Sequence, residues 1–218
     1  MTSAVLLSGG HGARMNHTIP KQYIDLGGKP VVLWSLEVLL ATPSINEVII
    51  VCHPNYQILF STIETNKTIT FALPGRRRQD SLYNGLQETR ADTDLVCVHD
   101  SARPFIRMEK VEELIEAGRC HGAAVLGIPV HSTIKEADGT GFVINTLDRA
   151  QLWMIQTPQV ATRELFERGF AAVNEAGLTV TDDVALVEKI GHPVKIVPGT
   201  EENIKITTPH DFVIAQHI

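Results

Sequence analysis

The sequence predicts an α/β protein: a mostly parallel sheet covered by helices, with a hairpin arm standing off it. Short, wholly apolar runs recur along the chain, and most are followed by a segment with helical spacing. Strands that are apolar on both sides belong to a sheet buried on both faces, and strand–helix alternation is what parallel crossover connections produce. One stretch, residues 129–150, breaks this rhythm. It has β-branched residues on both sides of Asp138-Gly139, the signature of a hairpin turn.

The elements follow in order. Ala4 to Leu7 is a buried strand that ends at a glycine cluster. Residues 31–41 (VVLWSLEVLLA) are leucine-rich and long enough for a helix, which Pro43 closes. EVIIVC, residues 47–52, is the next strand, and 69–73 a weaker one. Gln79 to Thr89 has helical spacing, Leu95 to His99 is a strand, 109–120 a helix and Ala123 to Ile128 a strand. After the arm come helices near 162–176 and 182–190, a strand at Val194–Val197, the segment NIKIT, and a closing helix from Pro209. No repeat or linker divides the chain, so residues 1–218 read as one domain. A lone hairpin is marginal in water. The arm must therefore pack on something, and a second subunit is the simplest candidate.

Composition narrows the function. With 44% hydrophobic and 20% charged residues the chain can bury a core and is not disordered. A net charge of −6 disfavours a general nucleic-acid binder, which needs a basic face. Arg76-Arg77-Arg78 is nevertheless a dense positive cluster, suited to a small anion. Cys52, Cys97 and Cys120 are odd in number and widely spaced, so they form neither a disulfide framework nor a zinc signature. No basic segment precedes a long apolar stretch at the start, and no apolar run approaches the ~20 residues that span a bilayer. The cytoplasm, with no membrane partner, is the expected setting.

Three segments carry chemistry. In Leu6–Met15 a strand runs into Gly9, Gly10 and Gly12, with Arg14 behind them. Glycines let backbone N–H groups approach an anion, and ligands of open α/β sheets bind at this end of the strands. Position 15 is Met, so the third glycine of a dinucleotide fingerprint is missing and a nicotinamide oxidoreductase is disfavoured. Gly28-Lys29-Pro30 is not a phosphate-binding P-loop either. Next, Pro20-Lys21-Gln22-Tyr23 offers a lysine that can reach back to phosphate. Finally, in Val98–Pro104 an acidic residue, Asp100, ends a strand, where it can hold a magnesium ion bridging phosphates. His99 beside it reads as a satisfied core histidine.

Together these motifs resemble the sugar-phosphate cytidylyltransferases, most closely the 2-C-methyl-D-erythritol 4-phosphate cytidylyltransferase family of the non-mevalonate isoprenoid pathway. The resemblance runs along nearly the whole chain. It includes the loop from Gly9 to Met15, Pro20–Tyr23, Arg78–Ser81, His99–Pro104, Val130–Lys135, Asp148-Arg149, Gln156–Gln159, Thr181–Asp183 and Asn203–Thr207. It implies a Rossmann-like nucleotidyltransferase fold, with a β-arm at 129–150 that forms a homodimer. It implies substrates cytidine triphosphate and a sugar-alcohol phosphate, and magnesium or another divalent cation. By resemblance, Arg14, Lys21 and Lys205 are catalytic and meet the triphosphate and the α-phosphate. Ser8, Gly9, Gly10, Gly12, Gly75 and Ser81 frame the nucleotide, with Arg78 nearby. Asp100 lies at the metal and the sugar phosphate. Arg103 and Thr157 line the substrate pocket, and Thr133 and Arg149 arrive from the partner's arm.

The chain departs from the family pattern in two places. Leu7-Ser8-Gly9-Gly10 stands where Pro-Ala-Ala-Gly is common, and Arg76 stands where an acidic residue is common. The first departure and Ser101 also occur in ribitol 5-phosphate cytidylyltransferases, which are the alternative reading. A non-catalytic nucleotide-binding module is a further one.

Overall fold

The computed structural model of the protein describes residues 1–10, 12, 15 and 19–218. One seven-stranded sheet organises it. Its strands are β1 (Thr2–Leu7), β4 (Glu47–Val51), β5 (Thr68–Ala72), β6 (Leu95–Asp100), β7 (Ala123–Pro129), β10 (Trp153–Thr162) and β11 (Lys195–Pro198), in the order β11-β7-β10-β6-β1-β4-β5. Every pairing is parallel except the two made by β10, which runs antiparallel to both β6 and β7. Two small hairpins complete the strands: β2 (Asp25–Leu26) with β3 (Lys29–Pro30), and β8 (Lys135–Ala137) with β9 (Val143–Thr146).

Alternation along the strands divides the core into two layers. Ala4 and Leu6, Val48 and Ile50, Leu95 and Cys97 face α1 (Val31–Ala41) and α3 (Met108–His121), where Leu36, Leu39, Leu114 and Ile115 pack on them. Val5, Ile49 and Val51, Val96 and Val98 face α2 (Arg78–Gln87), α4 (Arg163–Glu175) and α5 (Ala185–Glu188), which supply Leu82, Leu86, Phe166, Phe170 and Leu186. Gly85 lets α2 settle on this second face, because a Cβ there would lie 2.6 Å from a methyl of Val5. α6 (Pro209–Ala215) closes the chain; its Thr208 hydroxyl and Asp211 carboxylate cap its N-terminus reciprocally.

The parallel sheet covered on both faces is as expected, and so is the order of its main elements; the β2–β3 hairpin and the 3-10 helix Pro54–Phe60 were not expected, and three further differences concern larger elements. The strand β10 was not expected, although it lies inside the sheet between β6 and β7. The helix expected at 182–190 is only one turn, Ala185–Glu188. In the arm, the turn spans Asp138 to Phe142 rather than the Asp138-Gly139 pair alone. The Asp138 carboxylate accepts from the backbone N–H groups of Thr140 and Phe142, and the left-handed residue is Gly141, at φ 91°. Both arm strands are exposed along their length, and Phe142, Val143 and Ile144 are 59–74% exposed apolar side chains. Cys52 and Cys97 are buried free thiols. No helix among the described residues is long and apolar enough to cross a membrane.

Candidate active site

The register of β1 sets the place of the site. Leu7 pairs with Asp100 of β6 on one side and Val51 of β4 on the other, so three strands end side by side. The chain leaves β1 toward β4 and β5 and returns to β6 on the opposite side. Strand order reverses there, and the crevice beyond such strand ends is where α/β sheets bind ligands. A cleft of about 680 Å³ opens at this point. Gly9, Gly10 and Gly12 form one wall, Pro74 to Arg78 with Ser81 the other, and Asp100 to Ala102 the floor. Lys21, His53, Lys205 and Thr207 complete the rim.

Backbone needs explain the two facing walls. A Cβ on Gly9 would lie 2.3 Å from the Pro74 side chain, so only glycine lets the two loops meet. A Cβ on Gly75 would lie 2.3 Å from the Asp80 Cβ, against the start of α2. The Gly75 N–H donates to Ser81 Oγ at 2.9 Å, which ties the loop to that helix. On the other wall, the Gln22 side-chain amide donates to the carbonyls of Ser8 and Gly10, both at 2.8 Å. These contacts hold the glycines of both walls in place at the cleft.

The cleft is cationic in an acidic chain. Among the described lining residues, Lys21, Arg76, Arg77, Arg78 and Lys205 face a single carboxylate, Asp100. Asp100 is 7% exposed. Its Oδ1 accepts from Arg78 Nη2 at 2.8 Å and Nε at 3.2 Å, and its Oδ2 lies 2.6 Å from Lys205 Nζ. Burial alone would raise this carboxyl, but the charges of Arg78 and Lys205 more than offset it and hold Asp100 far below the usual carboxylate range. Arg78 is shared: it also pairs with the buried Asp183, through Nη1 to Oδ1 and through Nη2 to Oδ2 at 2.8 Å.

Several residues expected in the site do not line the cleft. Ser8 is 1% exposed and its hydroxyl donates to Tyr23, so it does not face the cleft. Thr157 is 4% exposed and lies beneath the floor. Its hydroxyl accepts from the Asp100 N–H at 3.0 Å and meets His99 Nδ1 at 3.0 Å. Arg103 does not line the cleft either; it donates to the Asn203 carbonyl at 2.7 Å and so fixes the segment that carries Lys205. Thr133 and Arg149 sit on the exposed arm, away from the cleft of their own chain, with Arg149 donating to the His131 carbonyl. Lys21, Gly9, Gly10, Gly12, Gly75, Arg78, Ser81, Asp100 and Lys205 do converge on the cleft. Arg14 lies outside the described residues. Sequence alone assigns no role to Gln22, His53, Gln159 or Asp183. Gln22, Gln159 and Asp183 stand inside motifs that carry the resemblance, whereas nothing in the sequence marks His53.

Asp100 also decides how a cation would be held. Its oxygens already take two Arg78 N–H groups and one Lys205 ammonium, which leaves one acceptor direction on Oδ2. No group of three His, Cys, Asp or Glu residues among the described ones could form a cage. This donor set fits a magnesium ion held mainly by substrate phosphates and water, with one protein carboxylate.

His99 is fully buried, and its hydrogen bonds define its state. Because Thr157 Oγ1 accepts from the Asp100 N–H, its own hydrogen goes to His99 Nδ1. Nε2 must then carry the ring proton and donate to the Arg103 carbonyl at 3.2 Å. Burial, only partly opposed by the Asp100 charge, pushes the imidazole down to about 4. The folded value lies below the ordinary one of about 6.5, so the unfolded chain takes up the proton first. Stability from this group is therefore complete above about pH 6.5 and is lost as pH falls toward about 4. Nitrogen NMR of histidine-labelled protein at about pH 5.5 should show His99 neutral and protonated on Nε2. Titration near the ordinary value would contradict this reading.

Comparison with known proteins adds the family. Residues 2–218 match the family described as IspD, 2-C-methyl-D-erythritol 4-phosphate cytidylyltransferase. The chain is 51% identical over 218 residues to the chloroplastic enzyme of that name from Oryza sativa subsp. japonica, covering 99% of this chain and 73% of the relative. It is 41% identical to the enzyme of that name from Geobacillus thermodenitrificans, covering 99% and 95%. The crystal structure of the 4-diphosphocytidyl-2C-methyl-D-erythritol synthase from Anaerococcus prevotii superposes with a TM-score of 0.89 at 28% identity, over 99% of this chain and 94% of that one. The chain belongs to the 2-C-methyl-D-erythritol 4-phosphate cytidylyltransferase family.

Proposed function

We propose that the protein joins cytidine triphosphate to 2-C-methyl-D-erythritol 4-phosphate, giving 4-diphosphocytidyl-2-C-methyl-D-erythritol and pyrophosphate, a step of isoprenoid precursor biosynthesis in the cytoplasm. The observation that carries it is the cationic cleft at the reversal of strand order, built from the loops that resemble the family's. A phosphate oxygen of the sugar attacks the α-phosphorus, and the bond to the β-phosphate oxygen breaks. No covalent protein intermediate is required. The obstacle is bringing two polyanions together and stabilising charge on a five-coordinate phosphorus, which calls for positioned cations rather than an activated nucleophile. Lys21 and Lys205 are assigned to the phosphates, with Arg14 by resemblance. Asp100 holds Lys205 in place, and its remaining acceptor direction is the one that would hold a divalent cation. Magnesium, when bound, would neutralise phosphate charge.

The base is read by the two backbone walls. Cytosine and uracil reverse the donor and acceptor pattern at one edge, and a wrong base leaves buried polar groups unpaired. Arg76 is exposed and cannot take the cytosine amine as a carboxylate would. Gly9, Gly10 and Gly75 therefore do the reading with main-chain groups. Pyrophosphate release should be measured with each nucleoside triphosphate and either 2-C-methyl-D-erythritol 4-phosphate or ribitol 5-phosphate. The expected result is turnover with cytidine triphosphate and the methylerythritol substrate. Faster turnover with ribitol 5-phosphate would overturn the sugar assignment. Uridine triphosphate within about fivefold of cytidine triphosphate in kcat/KM, ~1 kcal/mol, would overturn the base assignment.

The chain is read as one catalytic domain whose arm, 129–150, dimerises and delivers Thr133 and Arg149 to the partner's cleft. The exposed apolar side chains of the arm, and the absence of arm residues from the described lining of their own chain's cleft, support this reading. Arg149→Ala and Lys21→Ala should each be nearly inactive alone. Mixed under subunit exchange, they form heterodimers with one doubly defective site and one intact site, so activity should partly return. Demonstrated exchange without any recovery would refute a shared site.

A further inference from the structure

We propose that Asp183 is a positioning residue for the reaction: by gripping Arg78 it keeps Arg78 side-on to Asp100 and leaves the second Asp100 oxygen to Lys205. This inference rests on the transfer reaction proposed above. Asp183 lines no part of the cleft and its side chain is 1% exposed. Its two oxygens take the two terminal nitrogens of Arg78, a fork that fixes the guanidinium plane. With that face committed, Arg78 reaches Asp100 only along its Nε edge, and both of those bonds fall on Oδ1. Oδ2 is thereby kept clear of Arg78, with the Lys205 ammonium on it and one acceptor direction open beside it.

The chain builds support for Asp183 itself. Gln159, 1% exposed on β10, accepts through Oε1 from the N–H groups of Asp183 and Val184, at 2.9 and 2.8 Å. Its amide donates to the Asp182 carboxylate at 3.0 Å. A neutral β10 side chain thus holds the turn that carries Asp183, and the charge order runs Asp183, Arg78, Asp100, Lys205 inward to the cleft. Without the grip of Asp183, Arg78 is free to turn its fork onto both oxygens of Asp100, the geometry that arginine–carboxylate pairs favour. Arg78 would then fill the acceptor direction left open on Oδ2, and Lys205 would share that oxygen with a second cation, whose like charge pushes it away.

The test uses Asp183→Asn, Arg78→Lys and their combination. Lysine keeps the charge of Arg78 but has no planar fork to hold Asp183 with two nitrogens while meeting Asp100 along the Nε edge, and Arg78 is 30% exposed, so the smaller side chain is tolerated by packing. Each single variant should lower kcat about 10- to 100-fold, with the KM for cytidine triphosphate changed less than about threefold. Because both act through one arrangement, the double variant should fall no further than the worse single one. Multiplying losses, or full kcat in Arg78→Lys, would overturn the proposal. A crystal structure of Asp183→Asn reads the geometry independently of turnover, so its result holds even if the proposed reaction is wrong. Arg78 turned onto both Asp100 oxygens, with Lys205 beyond about 4 Å, is expected; an unchanged Arg78 and Lys205 would overturn the positioning role.

Discussion

A carboxylate buried at the end of a strand stays charged only in company, and Asp100 has a cation on each oxygen. Arg78 comes from the start of α2, Lys205 from the segment before α6, and Asp183 from the turn before α5. The pairing therefore ties three remote parts of the chain to the end of β6. Such a network is a poor source of net stability, because desolvating the ions offsets most of their attraction. Removing one member is a different matter, since an uncompensated buried charge costs on the order of 3–5 kcal/mol. What the network supplies is direction: it points one lysine into a cleft whose chemistry needs fixed positive charge.

The rest of the site follows from how the sheet ends. Parallel pairing of β1 with β6 and β4 brings Leu7, Asp100 and Val51 level. The glycines after β1 and the Pro74-Gly75 turn after β5 then close on each other, held by Gln22 on one wall and Ser81 on the other. Polar residues under the floor serve the same end. Thr157 orients both Asp100 and His99, and Asn203 donates to Gln156 and to the Thr157 carbonyl, fixing the chain next to Lys205.

Most of the sheet was legible because buried parallel strands are short apolar runs, and EVIIV or LVCV admit few other readings. β10 was hidden for a physical reason. Its centre reads Gln-Thr-Pro-Gln, and proline in an inner strand argues against one; the ladder register shifts between Ile155 and Gln159, on either side of that proline. Its polar side chains are buried because each is hydrogen-bonded to a part of the site's support. Gln156 and Thr157 hold the floor, and Gln159 holds the Asp183 turn. The same logic divides the site. Motif resemblance pointed to this region, but it could not separate residues that line the cleft from those hydrogen-bonded behind it. Ser8, Arg103 and Thr157 are not among the residues that line the cleft, and spacing in sequence carries no sign of which way a side chain turns.

The glycine walls and the lysines around Asp100 are held to form one nucleotide site, and everything proposed for the reaction depends on it. A crystal structure with cytidine triphosphate and magnesium bound tests this most directly. The cytosine ring is expected between Gly9-Gly10 and Gly75, with the phosphates over Lys21 and Lys205 and the Arg78–Asp183 pair unbroken. A nucleotide bound outside this cleft, or one whose phosphates avoid both lysines, would contradict it.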